Sequence, residues 1–222
     1  MVTPEVVCHD LVARYGRRTV LRGVSARIPR GAVTAVAGAN GAGKSSLLNV
    51  LAGVLKPSAG TLTMASQRRP AYVVQRSEVT DTLPITVRAA VAMGRWAHRG
   101  HWRRLRKQDW AVVEDCMALL NIGDLARRPL GTLSGGQRQR TLVAQGLAQE
   151  ADLLLLDEPS AGLDLDAQVR IEDALGYVVR SGVTVVRVTH DWDVARRAGH
   201  CLLLDRGRVV GEGVPGSVLV TR

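Results

Sequence analysis

Apolar and polar positions alternate along residues 5 to 30, and this repeat of two predicts a short antiparallel sheet at the N-terminus. Apolar runs of strand length follow at residues 32–37, 61–64, 71–74, 153–156, 183–188 and 201–204. Runs with the helical repeat lie between several of them, at residues 46–51, 84–93, 110–120, 134–149 and 165–180. Strands that alternate with helices indicate an α/β fold with a mostly parallel sheet.

The strand pattern stops between Arg76 and Leu133, and helical patterns replace it. Pro84 opens a helix with Val87 and Val91 on one face, and a second amphipathic helix follows from Trp110 to Leu120. The whole chain has 222 residues, which is enough for one sizeable core. We therefore expect one domain over residues 1–222, with an inserted helical subdomain at about residues 76–150.

The connection at residues 94–107 contains six basic residues interleaved with tryptophan and histidine. Stacking on nucleic acid is one interpretation. An exposed loop near membrane headgroups, or a solvated basic connection, is the interpretation we favour. His98 and His101 offer two ligands for a metal, but no third ligand lies nearby in the sequence.

The formal net charge is +10, and arginine supplies most of it because Lys44, Lys56 and Lys107 are the only lysines. Such a charge suits an acidic partner, or reflects a compositional habit spread over a solvated surface. The three cysteines are far apart, which fits a reducing cytoplasm. Neither a signal peptide nor an apolar run long enough for a membrane helix is visible, so we expect a cytoplasmic chain.

Residues 38–45 (GANGAGKS) fit the phosphate-binding pattern G-x-x-x-x-G-K-[ST] and lie between a strand pattern and a helix pattern, as such a loop requires. Its glycines allow successive N–H groups to surround an anion at the start of the helix. Lys44 is expected to reach the β- and γ-phosphates, and the Ser45 hydroxyl to bind Mg²⁺. The sequence therefore predicts a nucleotide site, for which the Tyr15 ring is a candidate platform for the base.

Two polar residues follow predicted strands directly. Gln75 comes after the strand at 71–74 and is either a polar stop or a group that coordinates Mg²⁺ or orients water. His190 comes after the strand at 183–188, where we expect contact with the γ-phosphate.

Residues 133–140 (LSGGQRQR) carry the second strong signal. Ser134 and Gln137 have the spacing of a capping box, so a helix is predicted to begin here. Gly135 and Gly136 weaken a first helical turn, and a cap alone does not explain them. They expose N–H groups and thus predict a second anion site.

The apolar run at residues 153–156 ends in Asp157, Glu158 and Pro159. A buried parallel strand delivers its ligands at its C-terminal end. Asp157 is therefore expected to complete Mg²⁺ binding, and Glu158 to act as general base on the attacking water.

Taken together, these segments resemble the ordered motif set of the ATP-binding cassette (ABC) ATPases over nearly the whole chain. The resemblance implies a P-loop NTPase core that uses ATP and Mg²⁺, with Tyr15 stacked on adenine and His190 as a switch residue. It implies that the nucleotide phosphates lie against Gly38, Asn40, Gly41, Ala42, Gly43, Lys44, Ser45 and Ser46. It further implies that Gln75 senses the nucleotide and couples to a partner.

The same resemblance implies a head-to-tail homodimer in which one subunit contacts the ATP of the other. The residues implied for this contact are Ser134, Gly135, Gly136, Gln137 and Asp164.

Residues 74–78 and 86–95 are similar to those of manganese and zinc importer cassettes. This implies integral-membrane permease subunits, an extracytoplasmic solute-binding protein and a peripheral position on the inner face of the membrane. Import of an iron–siderophore complex or another small solute is the alternative. A nucleic-acid cassette is disfavoured, because 222 residues hold neither a second ATPase unit nor a long coiled coil. A kinase-like protein would leave residues 133–137 and Glu158 without a purpose.

Overall fold

The computed structural model describes residues 3–74, 84–100 and 103–219. The chain divides into two compact units. Unit 1 comprises residues 1–70, 152–158 and 179–222, and unit 2 comprises residues 71–151 and 159–178. The expectation of a single domain with an insertion at about 76–150 stays a prediction.

The strands are β1 (Pro4–Tyr15), β2 (Arg18–Pro29), β3 (Val33–Ala37), β4 (Ala59–Met64), β5 (Ala71–Val73), β6 (Leu153–Asp157), β7 (Thr184–Val188), β8 (His200–Asp205) and β9 (Arg208–Gly213). The α-helices are α1 (Lys44–Leu51), α2 (Val87–Met93), α3 (Trp96–Arg99), α4 (Lys107–Leu119), α5 (Gly135–Leu147), α6 (Leu165–Arg180), α7 (Trp192–Arg196) and α8 (Pro215–Val218). Short 3-10 turns lie at Gly123–Leu125 and Leu130–Thr132.

The N-terminal sheet of unit 1 has the strand order β2-β1-β4, and both pairings are antiparallel. The alternation seen in the sequence becomes burial of one face, with Val6, Leu11 and Ala13 fully buried on β1. The predicted antiparallel sheet is confirmed. Strand β4 starts at Ala59, two residues before the strand pattern predicted at residues 61–64. Gly60 allows this, because a side chain there would overlap the backbone of Asp10.

The main sheet of unit 1 is mostly parallel, as predicted. Strands β6, β7, β3 and β8 lie side by side in that order with parallel pairing, and β9 adds to β8 in antiparallel fashion. Every residue of β6 and β7 is buried, which explains the apolar run Leu153–Leu156, while β7 also buries the polar Thr184 and the charged Arg187. The carboxyl ends of β6, β7 and β3 therefore share one edge of the sheet.

Three helices of unit 1 pack on its sheet. Helix α1 contacts β6 and β7, α7 contacts β3, and α8 contacts β8 and β9. Helices α7 and α8 have five and four residues, which is too short for a helical repeat to show in the sequence. Helix α1 begins at Lys44, earlier than the predicted Ser46, because the last turn of the phosphate loop already continues into it.

Unit 2 has α2, α4 and α5 packed against one another, so the predicted helical segment is present. The described part of its basic segment is mostly exposed, as we favoured, but Arg95 is an exception. Arg95 is only 7% exposed and donates to Asp109, to the Ala148 carbonyl oxygen and to Glu150. Asp109 is 1% exposed, and it supplies the counter-charge that the pattern of basic residues alone did not reveal.

No helix within the described ranges 3–74, 84–100 and 103–219 has both the length and the apolar character needed to span a bilayer.

Candidate nucleotide site

The phosphate loop connects β3 to α1, and its glycines adopt conformations that other residues rarely take. The φ angles are 145° at Gly38, 78° at Gly41 and 104° at Gly43. A Cβ atom at Gly38 would also overlap the Leu204 carbonyl oxygen on β8. The glycines are therefore required both by the backbone path and by close packing.

Lys44 starts α1 and is 7% exposed. Its Nζ donates hydrogen bonds to the carbonyl oxygens of Gly38 at 2.9 Å and Ala39 at 3.0 Å. Burial lowers the pKa of Lys44, while the carboxylates of Glu158 and Asp157 act in the opposite direction. The ammonium group thus lies inside the loop and close to both acids.

A groove of about 1290 Å³ opens beside the loop within unit 1. Apart from Gly38 and Ala42, the residues predicted to hold the nucleotide line it, and so does the predicted general base Glu158. The lining residues of the predicted set are Tyr15, Asn40, Gly41, Gly43, Lys44, Ser45 and Ser46. Ala42 lies in the same loop but is buried, and its carbonyl oxygen accepts from the N–H of Gly207.

Strand β6 places two carboxylates at its end. Asp157 is the last residue of the strand and is 4% exposed. Glu158 follows with a φ of 47°, a left-handed conformation that costs a residue with a side chain roughly 1–2 kcal/mol. Such strain is concentrated at functional sites, and here it turns Glu158 into the groove.

His190 follows β7 and faces Glu158, with 3.1 Å between His190 Nδ1 and Glu158 Oε1. The neighbouring residues hold the turn in place. The Thr189 N–H donates to the Val36 carbonyl oxygen, and Asp191 caps α7 by accepting from the N–H groups of Asp193 and Val194. The structure therefore brings together two of the three predicted catalytic side chains, the third being that of Gln75.

The Tyr15 ring stands at the edge of the groove with 48% of the residue exposed. Its hydroxyl oxygen accepts a hydrogen bond of 2.9 Å from Asn49 Nδ2 on α1. This contact links the predicted base platform to the helix that follows the phosphate loop. Sequence reasoning missed Asn49, because nothing in the local pattern pairs residues so far apart.

The capping box predicted at the start of α5 is present in unit 2. Ser134 Oγ accepts from the Gln137 N–H at 3.3 Å, and Gln137 Oε1 accepts from the Ser134 N–H at 3.1 Å. Gly135 and Gly136 form the first helical turn.

Gly136 lies against the start of α6, also in unit 2. A Cβ on Gly136 would lie 3.0 Å from Ala167 Cβ and 3.6 Å from Asp164 Oδ2. Asp164 Oδ1 caps α6 by accepting from the Ala167 N–H at 2.8 Å. The missing side chain at Gly136 therefore allows the two helix starts to pack closely.

Gln75 lies outside the described residues. Across the ranges that the structure describes, no three His, Cys, Asp or Glu side chains cluster as a metal site would require. His98 instead directs Nε2 at the Gln149 carbonyl oxygen, 2.6 Å away.

The geometry of unit 1, with a glycine-rich loop between β3 and α1 and two acids at the end of β6, agrees with the comparison with known proteins. A family model described as "ABC transporter" matches residues 21–161. The chain belongs to the ABC transporter family. Members of this family are ATPases coupled to transport, so this ABC protein is an ATPase that binds ATP.

Several curated proteins are similar over almost the whole ABC chain. The ferric enterobactin transport ATP-binding protein FepC of Escherichia coli is 36% identical, covering 95% of this chain and 82% of its own. The zinc import ATP-binding protein ZnuC of Jannaschia is 35% identical, covering 96% and 84%. Among solved structures, cbiO1 of Clostridium perfringens, part of the ABC transporter complex cbiONQ, is 26% identical with a TM-score of 0.81, covering 98% and 91%.

Proposed function

We propose that this ABC ATPase hydrolyses MgATP in the groove of unit 1 and thereby powers import of a metal into the cell. The observation that carries the hydrolytic part is the approach of His190 to Glu158 beside the phosphate loop. Tyr15 stacks on the adenine ring, the loop N–H groups surround the phosphates, and Lys44 exchanges its two carbonyl partners for phosphate oxygens.

Glu158 is the general base in this proposal. Its carboxylate accepts a proton from the water that attacks the γ-phosphorus, and the leaving group is ADP. In this proposal the N–H at His190 Nδ1 donates to Glu158 Oε1 and fixes the carboxylate. The remaining nitrogen of the His190 ring is free to address the γ-phosphate.

The Ser45 hydroxyl and the Asp157 carboxylate are the oxygen ligands that Mg²⁺ prefers, so the chain's residues fit this ion. Bound Mg²⁺ would neutralise charge on the phosphate oxygens. Gln75 is proposed as a further oxygen donor that responds to the nucleotide.

We further propose that two copies of the chain pair head to tail, so that ATP is held between them. Ser134, Gly135, Gly136, Gln137 and Asp164 of one copy then address the γ-phosphate held by the other. The start of α5 supports this role, because the first turn of a helix carries N–H groups without helical acceptors and a positive helix end, which together favour an anion. The pair would act with permease subunits at the inner face of the membrane, and with a solute-binding protein.

The transported substrate is proposed to be a divalent metal ion, zinc or manganese, because zinc import ATP-binding proteins are among the similar proteins. A ferric siderophore is the second candidate. Proteins named for ferric enterobactin and siderophore transport have a sequence identity to this chain similar to that of the zinc import proteins, so identity alone favours both substrates equally.

The experiment is an uptake assay in the native host after deletion of the gene. Complementation with the wild type should restore uptake of one radiolabelled substrate among zinc, manganese and iron–siderophore complexes. Lys44→Ala should not restore it, and Lys56→Ala is the matched control, since Lys56 lies outside the groove lining. Unchanged uptake of all these substrates in the deletion strain would contradict the import proposal. Loss of iron–siderophore uptake alone would show that the substrate is an iron–siderophore complex and not a divalent metal ion.

A further inference from the structure

Five arginines line the groove beside the phosphate loop, and we call them the arginine rim: Arg17, Arg18, Arg22, Arg206 and Arg208. All five are exposed, and within the described part of the chain none of their side chains has a hydrogen-bond or ion-pair partner. Like charges that line the same groove repel one another unless a ligand of opposite charge compensates them. An uncompensated cluster inside a groove indicates an anionic ligand.

The rim is fastened to the phosphate loop through the backbone. The Gly207 N–H donates to the Ala42 carbonyl oxygen at 2.8 Å, and the Arg22 N–H donates to the Gly207 carbonyl oxygen at 2.8 Å. Gly207 packs so tightly that a Cβ there would overlap the Val20 carbonyl oxygen. Two hairpin turns, one from the N-terminal sheet and one from the main sheet, therefore hold their arginines at a fixed place beside the loop.

The charge in the groove exceeds what MgATP needs. The five arginines and Lys44 stand against only two carboxylates in the lining, Glu158 and Asp205, an excess of four positive charges. MgATP carries about two net negative charges, because the metal offsets part of the phosphate charge. The groove of about 1290 Å³ is also larger than the roughly 300–1000 Å³ of ordinary ligand pockets. Room and charge remain for a further phosphate.

The position of the ribose suggests where that phosphate sits. With the base on Tyr15 and the 5′-phosphates in the loop, the ribose lies between them. Arg17 and Arg18 follow Tyr15 at once, and Arg18 is the cross-strand partner of Tyr15 in the hairpin. Both arginines line the groove next to Tyr15, so a ribose held there would face them.

We propose that the arginine rim binds a phosphate on the ribose, so that the groove takes nucleotides carrying phosphate at the 2′ or 3′ position as well as the 5′ position. This inference rests on the nucleotide site proposed above. Such nucleotides compete with ATP and slow its hydrolysis. Guanidinium groups bind phosphate through paired, charge-assisted hydrogen bonds, which supports the rim as the recognising element.

The test is displacement of a fluorescent ATP analogue from the full-length protein at physiological salt. The competitors are AMP, adenosine 3′,5′-bisphosphate, adenosine 2′,5′-bisphosphate and ATP. One of the two bisphosphates, the one whose 2′- or 3′-phosphate the rim recognises, should bind at least about tenfold more tightly than AMP. This is the effect expected from one charge-assisted hydrogen-bonded pair between a guanidinium group and the phosphate. In the double variant Arg17→Gln with Arg18→Gln, this preference should fall to about twofold or less.

The matched control is Arg103→Gln with Arg104→Gln, which removes the same charge from exposed positions outside the groove lining and should keep the preference. Arg206→Gln with Arg208→Gln tests the arginines of the second hairpin turn and should also reduce the preference for the bisphosphate over AMP. Equal binding of AMP and both bisphosphates by a wild type that binds ATP would overturn the inference alone. The inference would also be overturned if Arg103→Gln with Arg104→Gln lost the preference for the bisphosphate to the same extent, because the effect would then come from the overall charge. Failure of ATP itself to displace the analogue would overturn the proposed site.

Discussion

His190 Nδ1 lies 3.1 Å from Glu158 Oε1, although 32 positions separate the two residues in the chain. The contact follows from the sheet, because β6 and β7 are parallel neighbours and Asp157 is the partner of Val188. Each residue just beyond a strand end therefore faces the other. We expect the two side chains to act as one unit in hydrolysis.

Glu158→Gln should lower the rate of ATP hydrolysis by about 10²–10⁴-fold, since the general base is lost. Binding of ATP should persist, because the amide has the size of the carboxylate and the loop contacts do not involve it. Steady-state phosphate release and equilibrium ATP binding measure the two effects. The control is Asp173→Asn, which also replaces a carboxylate by an amide but at an exposed position. Normal turnover in Glu158→Gln would exclude Glu158 as the base.

His190→Ala should reduce hydrolysis with little effect on ATP affinity, because it removes the group that fixes Glu158. Adding Glu158→Gln should cause little further loss, as expected for residues that act together. A double-mutant cycle on kcat measures this coupling. Losses that multiply in the double variant would show that the two residues act independently.

Tyr15→Phe and Asn49→Leu both remove the hydrogen bond between Asn49 Nδ2 and the Tyr15 hydroxyl. A hydrogen bond of this type contributes about 0.5–1.5 kcal/mol. Each variant should therefore weaken ATP binding by about two- to tenfold while kcat stays the same. The double variant should match either single variant. Titration of ATP binding together with kcat checks the prediction, which a tenfold fall in kcat would contradict.

Ser134→Arg should block ATP-dependent dimer formation and leave ATP binding by the single chain intact, since Ser134 is not part of the groove lining. Ser134→Thr keeps the capping oxygen and should behave as the wild type. Both changes are best made in the Glu158→Gln background, where bound ATP persists. Sedimentation with and without MgATP measures the outcome. A Ser134→Arg protein that still dimerises would argue against the head-to-tail arrangement.

Asp109→Asn should destabilise unit 2 by about 1–3 kcal/mol near neutral pH, because Arg95 would keep its buried charge with only the half-exposed carboxylate of Glu150 as counter-charge. The backbone N–H of Arg106 and the guanidinium groups of Arg95 and Arg99 hold the pKa of Asp109 below its ordinary value, although burial opposes them. Its stabilising effect is therefore present above the ordinary carboxyl pKa of about 4 and is lost as the pH falls through the lower folded value.

Urea unfolding of the wild type and Asp109→Asn between pH 7 and pH 3 tests this sign. The difference in unfolding free energy should be constant above about pH 5 and shrink below about pH 4. Asp115→Asn serves as the control on the same helix. A difference that grows on acidification would show that the Asp109 carboxylate is not stabilised by its partners.

Local chemistry in the sequence was enough to predict the phosphate loop and the capping box. The glycines at 38, 41 and 43 need their unusual backbone angles, and Ser134 with Gln137 has a spacing that only a helix start satisfies. The strand end at Asp157 was also predictable, because the buried strand before it leaves a continuous apolar run. The strand before His190 was predictable from a valine-rich run that Thr184 and Arg187 interrupt.

Contacts between segments that are distant along the chain could not be predicted from the sequence. Nothing near Tyr15 points to Asn49, and the arginine rim forms only because the turn at Arg206 lies beside the turn at Arg17. The burial of Arg95, which precedes α3, likewise depends on Asp109 in α4. Charge runs are usually solvated, so the pattern alone favoured the wrong environment for Arg95.

Strand β3, which leads into the phosphate loop, has neighbours that are made late in synthesis. Val33 is the partner of Val185, and Thr34 is the partner of His200. A nascent chain on the ribosome therefore carries the loop sequence long before either edge of β3 can be covered. Premature termination before β8 would leave an open strand edge, so truncated products should depend on chaperones or be degraded, and no fragment ending earlier should bind nucleotide.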